Sequence, residues 1–143
     1  MDVAELRKRM VRALDEARRE AAVRRERSDA AVAAYGGFLR SVAVPLFKQA
    51  ATIVNADGAG FEVNTPADAV RLSARASPAT YVELALDRSG EEPEVVGRVS
   101  LTRGRLGVIV DERPIAPGRP IETLTEEDLA SYLVAAVPRL LIR

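Results

Sequence analysis

The chain has 143 residues, of which 48% are hydrophobic and only 4% aromatic, with 21 basic and 21 acidic side chains and neither cysteine nor histidine. That length and apolar fraction suit one packed domain with room for an appendage, while a formal net charge of zero gives no overall pull toward nucleic acid or anionic membrane. The composition excludes disulfides, thiol chemistry and metal sites built on thiolate or imidazole, and the few aromatic rings leave little stacking surface for bases or sugars.

The first predicted element is one long helix from Val3 to about Leu39. Val3, Leu6, Met10, Leu14, Ala17 and Ala21 recur along one face. After a break at Arg25 and Ser28 the stripe resumes at Val32, Tyr35 and Leu39. The mean spacing of about 3.6 residues is that of a straight α-helix rather than of a strict heptad supercoil. At 1.5 Å per residue such a helix spans roughly 50 Å, more than a body of about 100 residues with a radius of gyration near 13 Å can cover. Part of it must overhang.

Glu5 with Arg9, Asp15 with Arg19 and Glu20 with Arg24 are spaced to pair along the helix surface, for about 0.2–0.5 kcal/mol each. That is small beside what packing supplies. Val3, Leu6, Met10, Leu14, Ala17 and Ala21 are therefore the candidate self-association or partner-binding residues, and an antiparallel pair with a second copy is the simplest form. Through Arg27 there are nine basic residues against six acidic. The two signs are interleaved around the helix, as on a solvated salt-bridged surface, and form no stripe that would track a nucleic-acid backbone. Lys8 and Lys48 are the only lysines, and that bias toward Arg reads as high-GC coding rather than selection for phosphate.

Gly36-Gly37 is expected to interrupt the helix, since each Gly costs about 1 kcal/mol relative to Ala. A bend there would lead into a second helix over about 38–55, kinked near Pro45. The run Asn55 to Gly60 ends that helix, with Gly58 as a left-handed cap.

From Phe61 the period changes to two. Phe61 and Val63; Val70, Leu72 and Ala74; Val82, Leu84 and Leu86; Val95, Val99 and Leu101; and Leu106, Val108 and Val110 each alternate with polar residues. This is the pattern of an antiparallel sheet covered on one face. A two-residue turn at Arg103-Gly104 would place Leu101 opposite Leu106 and Val99 opposite Val108. Arg71, Arg75, Glu83, Asp87 and Arg98 would share the uncovered face and pair with one another across strands.

The final helix opens on Thr125-Glu126-Glu127-Asp128, a capping-box arrangement. It buries Leu129, Tyr132, Leu133, Ala136 and Val137 and is ended or kinked by Pro138, leaving Leu140, Leu141 and Ile142 as a tail that should also be buried.

Candidate chemistry is sparse. The acidic clusters Glu91-Glu92-Glu94 and Glu126-Glu127-Asp128 fall in a turn and a helix cap, where acids are expected without a metal. Gly58-Ala-Gly60 and Gly104-Arg-Leu-Gly107 lack the strand-then-helix context of a phosphate loop. The run Arg113 to Pro120 holds two Pro-x-x-Pro spacings and reads as a stiff connection rather than a polyproline ligand. The N-terminus has no apolar signal core, and no apolar run approaches the roughly eighteen residues of a membrane helix.

The sequence thus predicts an α+β protein: a helical arm over 1–36 for oligomerisation or partner binding, then an α+β domain over 37–143. In that domain a second helix precedes a four- or five-stranded antiparallel meander, with the C-terminal helix on one face of the sheet. The expected function is a non-enzymatic interaction or assembly module, cytoplasmic, dimeric or otherwise homo-oligomeric, with a further protein partner admitted. No catalytic residue, cofactor or metal is expected, and neither nucleic acid nor membrane is the favoured partner. The rival readings are nucleic-acid binding through the Arg-rich helix and a small-ligand site between sheet and helices.

Overall fold

The computed structural model describes residues 1–104 and 106–141. Helix α1 spans Val3–Phe38, and the Asp2 carboxylate caps it by accepting the Ala4 amide at 3.2 Å. A π-helical segment, Leu39–Ala43, leads without interruption into α2, Val44–Ala56. Gly36 and Gly37 therefore lie inside a continuous helical run instead of interrupting it, and the winding changes locally just after them. Pro45 is the physical reason. It has no amide to donate and its ring crowds the preceding turn, so the winding widens just before it, and the Val44 amide reaches back to the Leu39 carbonyl. Such one-turn π segments keep the backbone helical through the misfit. The Ser41 hydroxyl adds a bond to the Gly37 carbonyl at 2.6 Å.

Gly58, at φ +85°, turns the chain out of α2. Asn55 then ties the helix end to the sheet: its carboxamide accepts the Phe61 amide at 2.8 Å and donates to the Phe61 carbonyl at 2.9 Å. Five strands follow as an antiparallel meander in sequence order: β1 Phe61–Asn64, β2 Val70–Ala74, β3 Tyr81–Asp87, β4 Glu94–Arg103 and β5 Leu106–Pro114. Val63, Leu72, Val82 and Val99 pair in one row and Val70, Leu84 and Gly97 in the next, so the period-two apolar set lands on one face, as the alternation predicts.

The last hairpin differs from its expected register. Arg103 pairs with Leu106, and Leu101 faces Val108 rather than Leu106. Gly104, at φ +61°, supplies the left-handed residue that Arg103 could not adopt cheaply, so the turn begins one residue later. A register shift after Val99 then places Asp111, not Val108, opposite it. The outer part of β5 projects beyond the helices, leaving Leu106, Val108, Ile109 and Val110 exposed instead of covered.

A 3₁₀ turn, Ile121–Thr123, precedes α3, Glu126–Ala136, and the short α4, Pro138–Leu141. The capping box forms as read: the Thr125 hydroxyl accepts the Asp128 amide, and the Asp128 carboxylate accepts the Thr125 amide at 2.8 Å. Leu140 is buried and Leu141 is 47% exposed; Ile142 lies outside the described residues.

The core gathers Tyr35, Phe38, Phe47, Leu72, Val82, Leu84, Val99, Leu129 and Tyr132 between the sheet and the helices. Between β4 and α3, Gly97 lets the Tyr132 ring lie on the strand; a Cβ there would stand 2.0 Å from that ring. One eighteen-residue window of the Val3–Ala56 helix has a mean hydropathy of 1.4. The helix is thus long and apolar enough to cross a bilayer by length and composition alone, where the sequence reading expected no such run. Of that window 28% is buried, and Tyr35, Phe38, Phe47 and Val54 are among the core residues that the helix contributes.

Candidate functional site

The long helix meets the body only in its second half. Every residue from Met1 to Glu20 is exposed and Ala21 is half-buried. The β3–β4 turn comes alongside the helix from Arg19, where Arg19, Glu20, Val23, Arg24 and Arg27 line a shallow depression with Glu91 and Glu92, and the Ser28 hydroxyl accepts the Arg88 guanidinium at 2.6 Å. Tyr35 is then buried, its hydroxyl donating to the Asp68 carbonyl at the β1–β2 connection. Burial, with Asp68 nearby, raises the pKa of that phenol.

The six residues singled out in the arm therefore share one helix face, and from Val3 to Ala17 none of the described residues covers it. Val3 is 72% exposed, Leu6 46%, Met10 54% and Leu14 49%. Ala17 continues the stripe as an exposed residue and Ala21 ends it. Val11 and Val23 are also exposed apolar residues of the arm. They fall outside the six-residue reading because they sit off the 3.6-residue stripe; Val11 borders it beside Leu14, one turn apart. Local ion pairs are few. Glu5 holds Arg9 at 3.2 Å as expected, Asp15 pairs with Arg18 at 3.5 Å instead of Arg19, and Glu20 and Arg24 are not within pairing distance. Four residues of helix separate Asp15 from Arg19 and only three separate it from Arg18, and both spacings place side chains on neighbouring turns.

The outer face of the sheet is a closed polar network. Glu83, buried on β3, accepts from Arg71 of β2 at 2.9 Å and from Arg98 of β4 at 3.3 Å, and Arg98 also reaches Glu112 of β5 at 3.0 Å. Arg71 lies over the Tyr81 ring at 3.9 Å. Burial alone would lower the Arg98 pKa, but the hydrogen bonds and charges of Glu112 and Glu83 outweigh it and the pKa rises. Two cations and two anions thus satisfy each other, as the sequence reading expected of this face. Arg75 pairs instead with Glu62. Asp87 bonds to Ser89, which lowers its pKa.

The remaining candidates have local partners. Asp128 is held by Arg119 at 2.6 Å and by the Thr125 amide, which together lower its pKa. Arg119 also donates to the Thr123 carbonyl, pinning the proline-rich connection to α3. Asp111 of β5 receives Arg139 of α4 at 2.8 Å. Among the described residues no three carboxylates converge as a metal-binding group would. The Tyr132 hydroxyl is buried with no hydrogen-bond partner among the described residues, and burial raises its pKa to about 12. A shallow apolar groove of about 410 Å³ runs between α2 and α3 past Ile53, Val134 and Leu141; few polar groups line it to orient a small molecule.

No family model, curated protein or solved structure matches the chain.

Proposed function

We propose that the chain is a non-enzymatic interaction and assembly module that self-associates through its long N-terminal helix, a dimer being the favoured state. The observation that carries this reading is the uncovered stripe of Val3, Leu6, Met10 and Leu14 on a helix that projects past its own body. An isolated amphipathic helix gains most of its stability from packing that stripe, because local ion pairs contribute only tenths of a kcal/mol. A second copy presents the same stripe in the same number, the self-complementary condition of a two-fold interface.

The test is the solution mass of the full-length chain by light scattering over a range of concentrations. The expected mass is twice that of the 15.4 kDa chain. Met10→Glu with Leu14→Glu, both good helix formers that destroy the stripe, should return the protein to monomers without unfolding the body. A mass of 15.4 kDa at every concentration would end the proposal.

A further inference from the structure

We infer that the outer half of β5, from Leu106 to Val110, is an open sheet edge that pairs antiparallel with the same segment of a second copy, centred on Val108. This contact is separate from the arm and goes beyond the reading above.

The two edges of the sheet are finished differently. Among the described residues, one side of β1 and one side of β5 have no neighbouring strand, and such a row of main-chain N–H and C=O groups is a template for another strand. β1 is four residues long, and the Asn55 carboxamide occupies both main-chain groups of Phe61 at its start. Little of that edge is left open. β5 is nine residues long and is protected over its inner half alone. There the register shift beside Val110, the ion pairs of Glu112 with Arg98 and of Asp111 with Arg139, and Pro114 are all devices that discourage pairing. From Leu106 to Val110 the run is Leu-Gly-Val-Ile-Val, with no charge and no proline. Leu106 is 74% exposed and Ile109 49%.

The unpaired main chain calls for an extended strand, and symmetry selects a second copy. A two-fold axis through the edge makes the strands antiparallel and keeps each face of one sheet continuous with the same face of the other. Residues of like facing then meet, so the axis passes through a residue and not between two. Centring on Val108 brings the whole open run into one ladder. Val108 meets the partner's Val108, Gly107 the partner's Ile109 and Leu106 the partner's Val110. Every pair is apolar, and the largest branched side chain of the outer face lies opposite glycine. The charged residues stand outside the ladder: Arg103 at the tip, and at the other end Asp111 and Glu112, already held by Arg139 and Arg98. Five residues of strand extend about 17 Å. Such a contact is smaller than the roughly 800 Å² per partner of a standard interface, so it forms at concentrations above those that pair the arms.

The test uses full chains carrying Met10→Glu and Leu14→Glu, which remove the arm from the association. Light scattering up to about 1 mM should show the mass rising from 15.4 kDa toward twice that value. Adding Val108→Lys and Ile109→Lys, at exposed positions, should hold it at one chain. The native chain lacks cysteine, so single cysteines report the register without background. Where the mass rises, Val108→Cys should oxidise to a disulfide-linked dimer. Facing Cα atoms in an antiparallel pair stand about 4.5–5.5 Å apart, within the roughly 4.4–6.8 Å that a disulfide spans. Leu106→Cys should not, because its two copies lie about 14 Å apart along the strands. A Leu106→Cys dimer, or none from Val108→Cys, overturns the register. A rise in mass that survives the two lysines overturns the edge as its cause. A mass of one chain up to about 1 mM overturns the second copy as occupant and leaves the edge to a strand of another protein. None of these outcomes touches the arm, whose self-association is read from the native chain at lower concentration.

Discussion

The two halves of the long helix have the same backbone and nearly the same apolar period, yet opposite fates. From Ser28 to Val54 the stripe meets a sheet, and Tyr35, Phe38, Phe47 and Val54 are buried. From Val3 to Leu14 no described residue covers it, and Val3, Leu6, Met10 and Leu14 stay 46–72% exposed. Periodicity reports that a face is apolar; it does not report what covers it. The Gly pair and Pro45 mark no boundary between the halves, since the helix runs through both. The boundary is set by the β3–β4 turn, which brings Glu91 and Glu92 alongside Arg19 to Arg27 and Arg88 onto Ser28.

The sharpest way to break the covered half is at its closest packing. Gly97→Ala would place a methyl 2.0 Å from the Tyr132 ring, on a strand paired on both sides and unable to retreat. Overpacking of this kind is expected to cost about 3 kcal/mol, read as a fall in denaturant midpoint at every protein concentration. Pairing it with Tyr132→Leu should recover part of the loss, and strict additivity of the two changes would show that the ring and the strand do not in fact collide.

Much of this architecture could be read from the residues. The five period-two runs became five strands in sequence order, and Thr125 and Asp128 became the capping box. The cross-strand pairing of Arg71, Glu83 and Arg98 followed from alternation alone. Other features depended on relations that alternation does not encode. The hairpin register turned on whether Arg103 or Gly104 would open the turn, and a left-handed φ chose Gly104. The later shift at Val99 and Ser100 has no composition signal. Helix continuity through Gly36 and Gly37 was misread because the propensity penalty of two glycines is small beside the burial of Tyr35 and Phe38 on either side. Exposure of the outer half of β5 depends on how far the helices reach. In the candidate site, the six stripe residues were legible from period; the point at which the body takes over their face was not.

A smaller effect sharpens the comparison at the other end of the body. Thr125→Ala removes one side of the capping box and should cost about 1 kcal/mol. Asp128, the reciprocal partner, has a pKa lowered first by the Arg119 hydrogen bond and then by the Thr125 amide. A carboxyl depressed in the folded state contributes stability above its unfolded pKa of about 3.9 and loses it as pH falls through the folded value. Native protein should therefore lose its advantage over Asp128→Asn on acidification below about pH 4. Thermal melts of the two proteins at neutral and acid pH measure this, and a difference independent of pH would remove the charged carboxylate from the account.

The smallest expected change is the one that separates the halves most directly. Leu14→Ala in the exposed arm removes a side chain that is 49% exposed and touches no core residue. In a monomer the substitution should leave unfolding of the body unmoved and favour the arm's helix slightly, by about 0.2 kcal/mol, because Ala is the better helix former. Leu72→Ala, on a fully buried residue of β2, should cost about 2–5 kcal/mol whatever the concentration. If arms pair, the Leu14→Ala penalty appears only as concentration rises, since stability borrowed from a partner follows mass action. Melting temperatures of native and Leu14→Ala protein measured across a dilution series therefore converge at the dilute end and separate at the concentrated end. Curves that stay superposed throughout would mean that the stripe on this half of the helix is not covered by a second copy, however regular its spacing.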